Sequence, residues 1–108
     1  MAEQPGRYRP TSRPYTKRYR YKYASHVFDK LRALDLPLAE FQQLLGAGEV
    51  IAEAIDEPGQ TRELILLIDW LEPLHLVIAV DDAHKEERLI TVYEPDPGRW
   101  SPDLRRRR

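Results

Sequence analysis

The stretch Arg62–Asp81, RELILLIDWLEPLHLVIAVD, decides the fold. Two apolar runs of strand length, Arg62–Trp70 and Leu74–Asp81, flank Glu72-Pro73, and a proline there interrupts regular pairing while leaving too little chain for a parallel crossover. The two runs must turn back on each other. Working outward, Glu49–Asp56 comes before them across Glu57-Pro58-Gly59-Gln60, and Arg88–Glu94 follows across the polar segment Asp81–Glu87. Four strand-like runs with short turns predict an antiparallel meander.

Alternation assigns faces to that sheet. Leu64, Leu66 and Ile68, Leu74, Leu76, Ile78 and Val80, and Ile90 with Val92 form the face expected to carry helices. The opposite face would show Glu63, Ile65 and Leu67, then His75, Val77 and Ala79, then Leu89, Thr91 and Tyr93. It is apolar with polar insertions, which predicts either cover by the chain's arms or a groove for a partner or ligand.

Two short helices precede the strands. Ser25 suits an N-cap, and Val27, Leu31 and Leu34 follow at helical spacing, with Phe28 widening the apolar face of a helix over about 26–34. Pro37 suits the first turn of a second helix with a Leu38, Phe41 and Leu45 stripe, stopped by Gly46 and Gly48. The expected fold is α+β: two short N-terminal helices packed on one face of a four-stranded antiparallel meander sheet, with basic N- and C-terminal arms.

Charge divides the chain in the same way. Residues 1–24 carry seven Lys/Arg against one acid, residues 99–108 carry five against one, and residues 25–98 hold the other five basic and sixteen acidic residues. The net charge of -1 is therefore the sum of +6, +4 and -11. This delimits a Tyr/Arg-rich arm at 1–24, a single α+β domain at 25–98 and a basic tail at 99–108, and a chain of 108 residues suits one core. In the arm, Arg18, Arg20 and Lys22 alternate with Tyr19, Tyr21 and Tyr23, so an extended segment would bind a partner or pair at a sheet edge.

Cysteine is absent, which excludes disulfides, thiolate metal sites and a catalytic thiol. The apolar runs are far shorter than the roughly 20 residues of a membrane span. Charges and Pro5, Pro10 and Pro14 take the place of a signal-peptide core, so a cytoplasmic location is expected. No metal motif, phosphate loop or nucleophile elbow is present, no cofactor is implied, and nothing specifies an oligomeric state. His84 suits a solvated turn. His26 is either a first-turn residue bonded to nearby backbone or an acid/base group. His75 and Tyr93 fall on the second sheet face, where an imidazole and a phenol could flank a phosphate, or where each could be a half-buried sheet residue. Arg62 and Arg99 are candidate phosphate contacts, and the Arg105–Arg108 run is a generic polyanion binder.

The ending Leu89-Ile90-Thr91-Val92-Tyr93-Glu94-Pro95-Asp96-Pro97-Gly98-Arg99-Trp100 resembles the bacterial family known as domain of unknown function 4258. Ser25-His26, Gly48-Glu49-Val50-Ile51 and Pro73-Leu74-His75-Leu76-Val77 are similar to its successive blocks, over about residues 25–106. The chain departs from the pattern at Leu34-Asp35-Leu36, where members read Arg-Gly before an aliphatic residue. The family is similar to RelE-type toxins, small α+β proteins that cleave RNA on the sheet face opposite their helices.

That resemblance implies a toxin-like, metal-independent endoribonuclease with RNA as substrate and an antitoxin-like protein as partner. His75, Tyr93 and His26 would be catalytic, and Arg62, Arg99, Arg105 and Arg106 would hold the phosphate. The alternative is a non-catalytic interaction module that docks a protein or nucleic acid on its second sheet face or its arms.

Overall fold

A computed structural model describes residues 8–108; residues 1–7 of the basic arm lie outside the described residues. Eight elements follow in chain order: β1 (Arg9–Pro14), β2 (Arg20–Tyr23), α1 (Ser25–Ala33), α2 (Leu38–Gly46), β3 (Glu49–Glu57), β4 (Gln60–Leu67), β5 (Leu74–Asp81) and β6 (Glu86–Tyr93). The strands form one sheet in the order β1-β3-β4-β5-β6-β2. The expected four-stranded meander is thereby corrected to a six-stranded mixed sheet with two helices. β3 to β6 pair antiparallel in sequence, but β1 adds antiparallel to β3 and β2 adds parallel to β6.

The connection between the two added strands shapes the sheet. Pro14 pairs with Glu49 at one end of the sheet, and Arg20 pairs with Glu86 at the other end and on the far edge. Five interstrand spacings of a flat sheet measure about 24 Å, whereas the six residue steps from Pro14 to Arg20 reach at most about 22 Å. The sheet must therefore coil, and residues 15–19 strap diagonally across its helix side.

Two buried carboxylates hold the strap. Glu87 is 0 % exposed and accepts hydrogen bonds from the Tyr15 hydroxyl, from the Arg18 backbone N–H at 2.5 Å and from the Tyr19 backbone N–H at 2.9 Å. Glu63, also buried, accepts from Arg13 at 3.0 Å and Arg18 at 2.8 Å. Tyr15 joins the core, where burial and Glu87 keep its phenol protonated.

The helix side is filled by Val27, Leu31, Phe41 and Leu45 packed on Val50, Ile65, Leu67, Leu76 and Ile78. The face assigned to β4 from alternation is inverted. Ile65 and Leu67 face the helices, while Leu64 and Leu66 lie in the second cluster with Ile51, Val77 and Trp100. β6 changes phase at an irregularity opposite Val77 and Ile78, which sends Leu89 to the helix side and Ile90 to the other. Ile68 lies beyond the end of β4 and is exposed.

Local chemistry explains the joints. Ser25 is the first helical residue of α1 and not its cap. Ala24 holds the cap position and has no side-chain oxygen to cap with, while its N–H continues the sheet to the Leu89 carbonyl at 3.0 Å. At the other end Asp35 has φ 56, with Leu36 N–H bonded to Leu31 O and Asp35 N–H to Arg32 O, a Schellman motif that also packs Leu36 near Leu31. Asp35 thus occupies the position where the family pattern has glycine. Gly48 is required by close approach, since a Cβ there would meet the Ile65 side chain at 2.8 Å.

Replacing Glu87 by Ala leaves the Arg18 and Tyr19 N–H groups unpaired and the Tyr15 hydroxyl with Tyr21 as its remaining partner, and the expected loss in urea unfolding is about 3 kcal/mol. Asp35→Gly removes left-handed strain and is expected to stabilise the fold by about 0.5–1 kcal/mol, read in the same measurement.

Candidate nucleic-acid interface

On the face away from the helices, His75 and Tyr93 are direct cross-strand partners on β5 and β6. The Tyr93 hydroxyl lies 3.3 Å from His75 Nδ1, and the Leu104 carbonyl lies 2.9 Å from Nε2. A carbonyl only accepts, so Nε2 carries the proton and Nδ1 faces the phenol as acceptor. The ring of Trp100 packs edge-on against His75 with centroids 4.4 Å apart. His75 is consequently 0 % exposed, and burial pushes its pKa down to about 4. At neutral pH it is an uncharged, doubly bonded core histidine.

The cover comes from the C-terminal tail, which folds back as a small hairpin. Trp100 bridges to Arg107, the Ser101 N–H donates to Arg106 O at 2.7 Å, and the Arg108 N–H donates to Arg99 O at 2.9 Å. Trp100 and Leu104 point into the sheet and join the second apolar cluster. Arg105 ties the hairpin to β3 through Glu49 at 2.7 Å, and this guanidinium holds the Glu49 carboxyl below the usual carboxylate range. Arg99, Arg106, Arg107 and Arg108 remain exposed. Arg99 is 3.7 Å from Asp96, and Arg107 lies over the Trp100 ring at 5.6 Å.

The other expected site residues are dispersed. His26 sits exposed at the start of α1, so the sheet separates it from His75. Arg62 is on the second face of β4, bound to Asp56 at 2.9 Å and stacked 5.5 Å from the Tyr8 ring. Arg105 is an internal anchor. The structure therefore joins His75 with Tyr93, gathers Arg99 and Arg106 on the hairpin, and leaves His26 and Arg62 elsewhere.

Trp100 and Leu104 were missed as site-forming residues, although two apolar side chains four apart in an otherwise polar tail were a visible signal. Among the described residues no cluster of side chains is suited to a metal ion, and no helix is long and apolar enough to cross a membrane. No family model, no curated protein and no solved structure matches the chain.

The depressed pKa gives a pH signature. An unfolded histidine titrates near 6.5 while folded His75 titrates near 4, so the unfolded state binds more protons between these values and stability falls as pH drops from about 6.5 toward 4. The expected slope is about 1.4 kcal/mol per pH unit, fullest between pH 6 and 4.5, and His75→Gln should remove it in urea unfolding measured across that range.

Proposed function

We propose that the chain is a non-catalytic module that binds single-stranded RNA through its arginine-bearing C-terminal hairpin. The observation that carries this reading is the hairpin's two-sided character. Its inner side, Trp100 and Leu104, is fixed on the sheet, and Arg99, Arg106 and Arg108 are exposed around it, with Arg107 exposed at the rim over the Trp100 ring. A backbone ordered before binding spares the chain that part of the entropy cost when the arginines meet phosphates, and Arg suits phosphate oxygens bidentately.

Single-stranded RNA fits better than duplex. Both helices lie on the opposite face, so none can enter a groove from this side, while an arginine-edged sheet face suits an extended strand. The ribonuclease implied by the family resemblance needs His75 and Tyr93 at a phosphate. Here Trp100 lies against His75 and both ring nitrogens are engaged, which favours the binding reading over cleavage. A cytoplasmic setting, where RNA is at hand, accompanies this proposal.

The test is fluorescence anisotropy with a labelled single-stranded RNA between about 50 and 200 mM salt. Affinity should fall linearly in log–log form, and the triple substitution Arg106→Ala, Arg107→Ala and Arg108→Ala should make the slope shallower by up to about 2, at about 0.7 for each phosphate contact removed. The RNA should be recovered intact. Absence of binding at the lowest salt, an unchanged slope in the variant, or cleavage in EDTA that Tyr93→Phe abolishes would each overturn the proposal.

A further inference from the structure

The second face has an open half beside the hairpin. Across β4, β5 and β6, Arg62, Ala79 and Arg88 stand in one cross-strand row, and Gln60, Asp81 and Glu86 stand in the next row on the same face. Ala79 is small and half-buried, so a shallow groove of about 180 Å³ opens along these rows, lined by Ala79, Asp81, Glu86, Arg88 and Gln60 among others. Two interstrand spacings separate the backbones of Arg62 and Arg88 by about 10 Å with the Ala79 methyl between them; the Arg62 guanidinium is held by Asp56, and Arg88 is the arginine that lines the groove.

We infer that this groove receives a guanine base of the bound RNA strand, an inference that rests on the reading of the chain as an RNA-binding module. A planar ring can lie on the Ala79 methyl. Guanine offers the acceptor pair O6 and N7 on one edge, which matches a guanidinium such as that of Arg88, and amino donors on another, which match carboxylates. The groove supplies both kinds of group side by side. Asp81 accepts from His84 at 2.8 Å and 3.1 Å, and Glu86 pairs with Lys22 at 3.3 Å and Arg88 at 3.7 Å. A carboxylate has about four lone-pair positions, so each keeps acceptor capacity, and Lys22 and Arg88 offset the charge of Glu86 as phosphates approach. Adenine presents an amino donor beside N7, where the guanidinium needs an acceptor.

The placement agrees with the hairpin. Ala79 is four residues along β5 from His75, about 13 Å, and Trp100 and Leu104 of the hairpin sit on His75. One extended strand can therefore lay phosphates on the hairpin arginines and a neighbouring base in the groove.

The experiment compares labelled oligonucleotides that differ at one position, carrying guanine, inosine or adenine, with the parent protein, Ala79→Leu, which fills the groove, and Arg88→Met, which removes the guanidinium. Both positions are at least partly exposed, and unchanged urea midpoints will show that the variants fold. The parent should bind the guanine strand about tenfold or more tighter than the adenine strand, with inosine between them. Both variants should lose that preference while keeping the salt slope. Equal affinity for guanine and adenine strands, or a preference that survives in both variants, overturns this inference and leaves RNA binding by the hairpin standing. Saturation of the groove by free guanosine monophosphate with no discrimination among the strands also overturns it, assigning a nucleotide in place of RNA. Failure of the parent to bind any strand overturns both proposals.

Discussion

Glu87 is the group on which the rest of the structure depends. A carboxylate carried to zero exposure must be given donors, and the sequence supplies them from Tyr15, Arg18 and Tyr19, seventy residues earlier in the chain. Drawing those residues over the helix side pulls β1 to one edge of the sheet and β2 to the other. Glu63 reinforces the same path by pairing with Arg13 and Arg18. The coil of the sheet, the closed helix-side core and the direct entry of β2 into α1 all follow from the strap being held at that point.

The segregated charges take on a different meaning in this light. The basic first arm meets acidic partners inside its own fold: Arg9 and Arg13 with Glu53, Arg13 and Arg18 with Glu63, and Lys22 with Glu86. Exposed pairs of this kind contribute little stability, so the buried Glu63 and Glu87 contacts carry most of the effect. The second basic end behaves otherwise. Arg105 is committed to the body through Glu49 at close range, and the remaining arginines of the hairpin are exposed, Arg107 over Trp100 and Arg108 donating to the Pro97 carbonyl. One basic end builds the sheet; the other decorates a face of it.

How much of this was legible depends on the element. The turns Glu57–Gln60 and Glu72-Pro73 mark β3, β4 and β5 plainly, and short connections place His75 opposite Tyr93. The face of β4 was not legible, because Leu64–Ile68 is apolar at every position and alternation has no phase to grip. The polar residue before it, Glu63, misleads, since a carboxylate is expected outward and this one turns inward to meet arginines. In β6 the irregularity near Ile90 shifts the phase within a single strand, and no residue there announces it. The site was half legible for a related reason: His75 and Tyr93 stand out as polar insertions, but their burial comes from Trp100 and Leu104.

The sequence by itself determined the antiparallel succession of β3 to β6 inside a larger mixed sheet, the helix pair, the absence of thiol chemistry and the division of charge, since these rest on spacing and composition within short windows. Only the tertiary structure decided that the described part of the first arm is two edge strands and a strap, that β4 turns its odd-numbered side to the helices, and that His75 is sealed. Each of those outcomes is set by contacts between residues far apart in sequence, where a buried carboxylate or an apolar face takes whichever partner the folded chain brings to it.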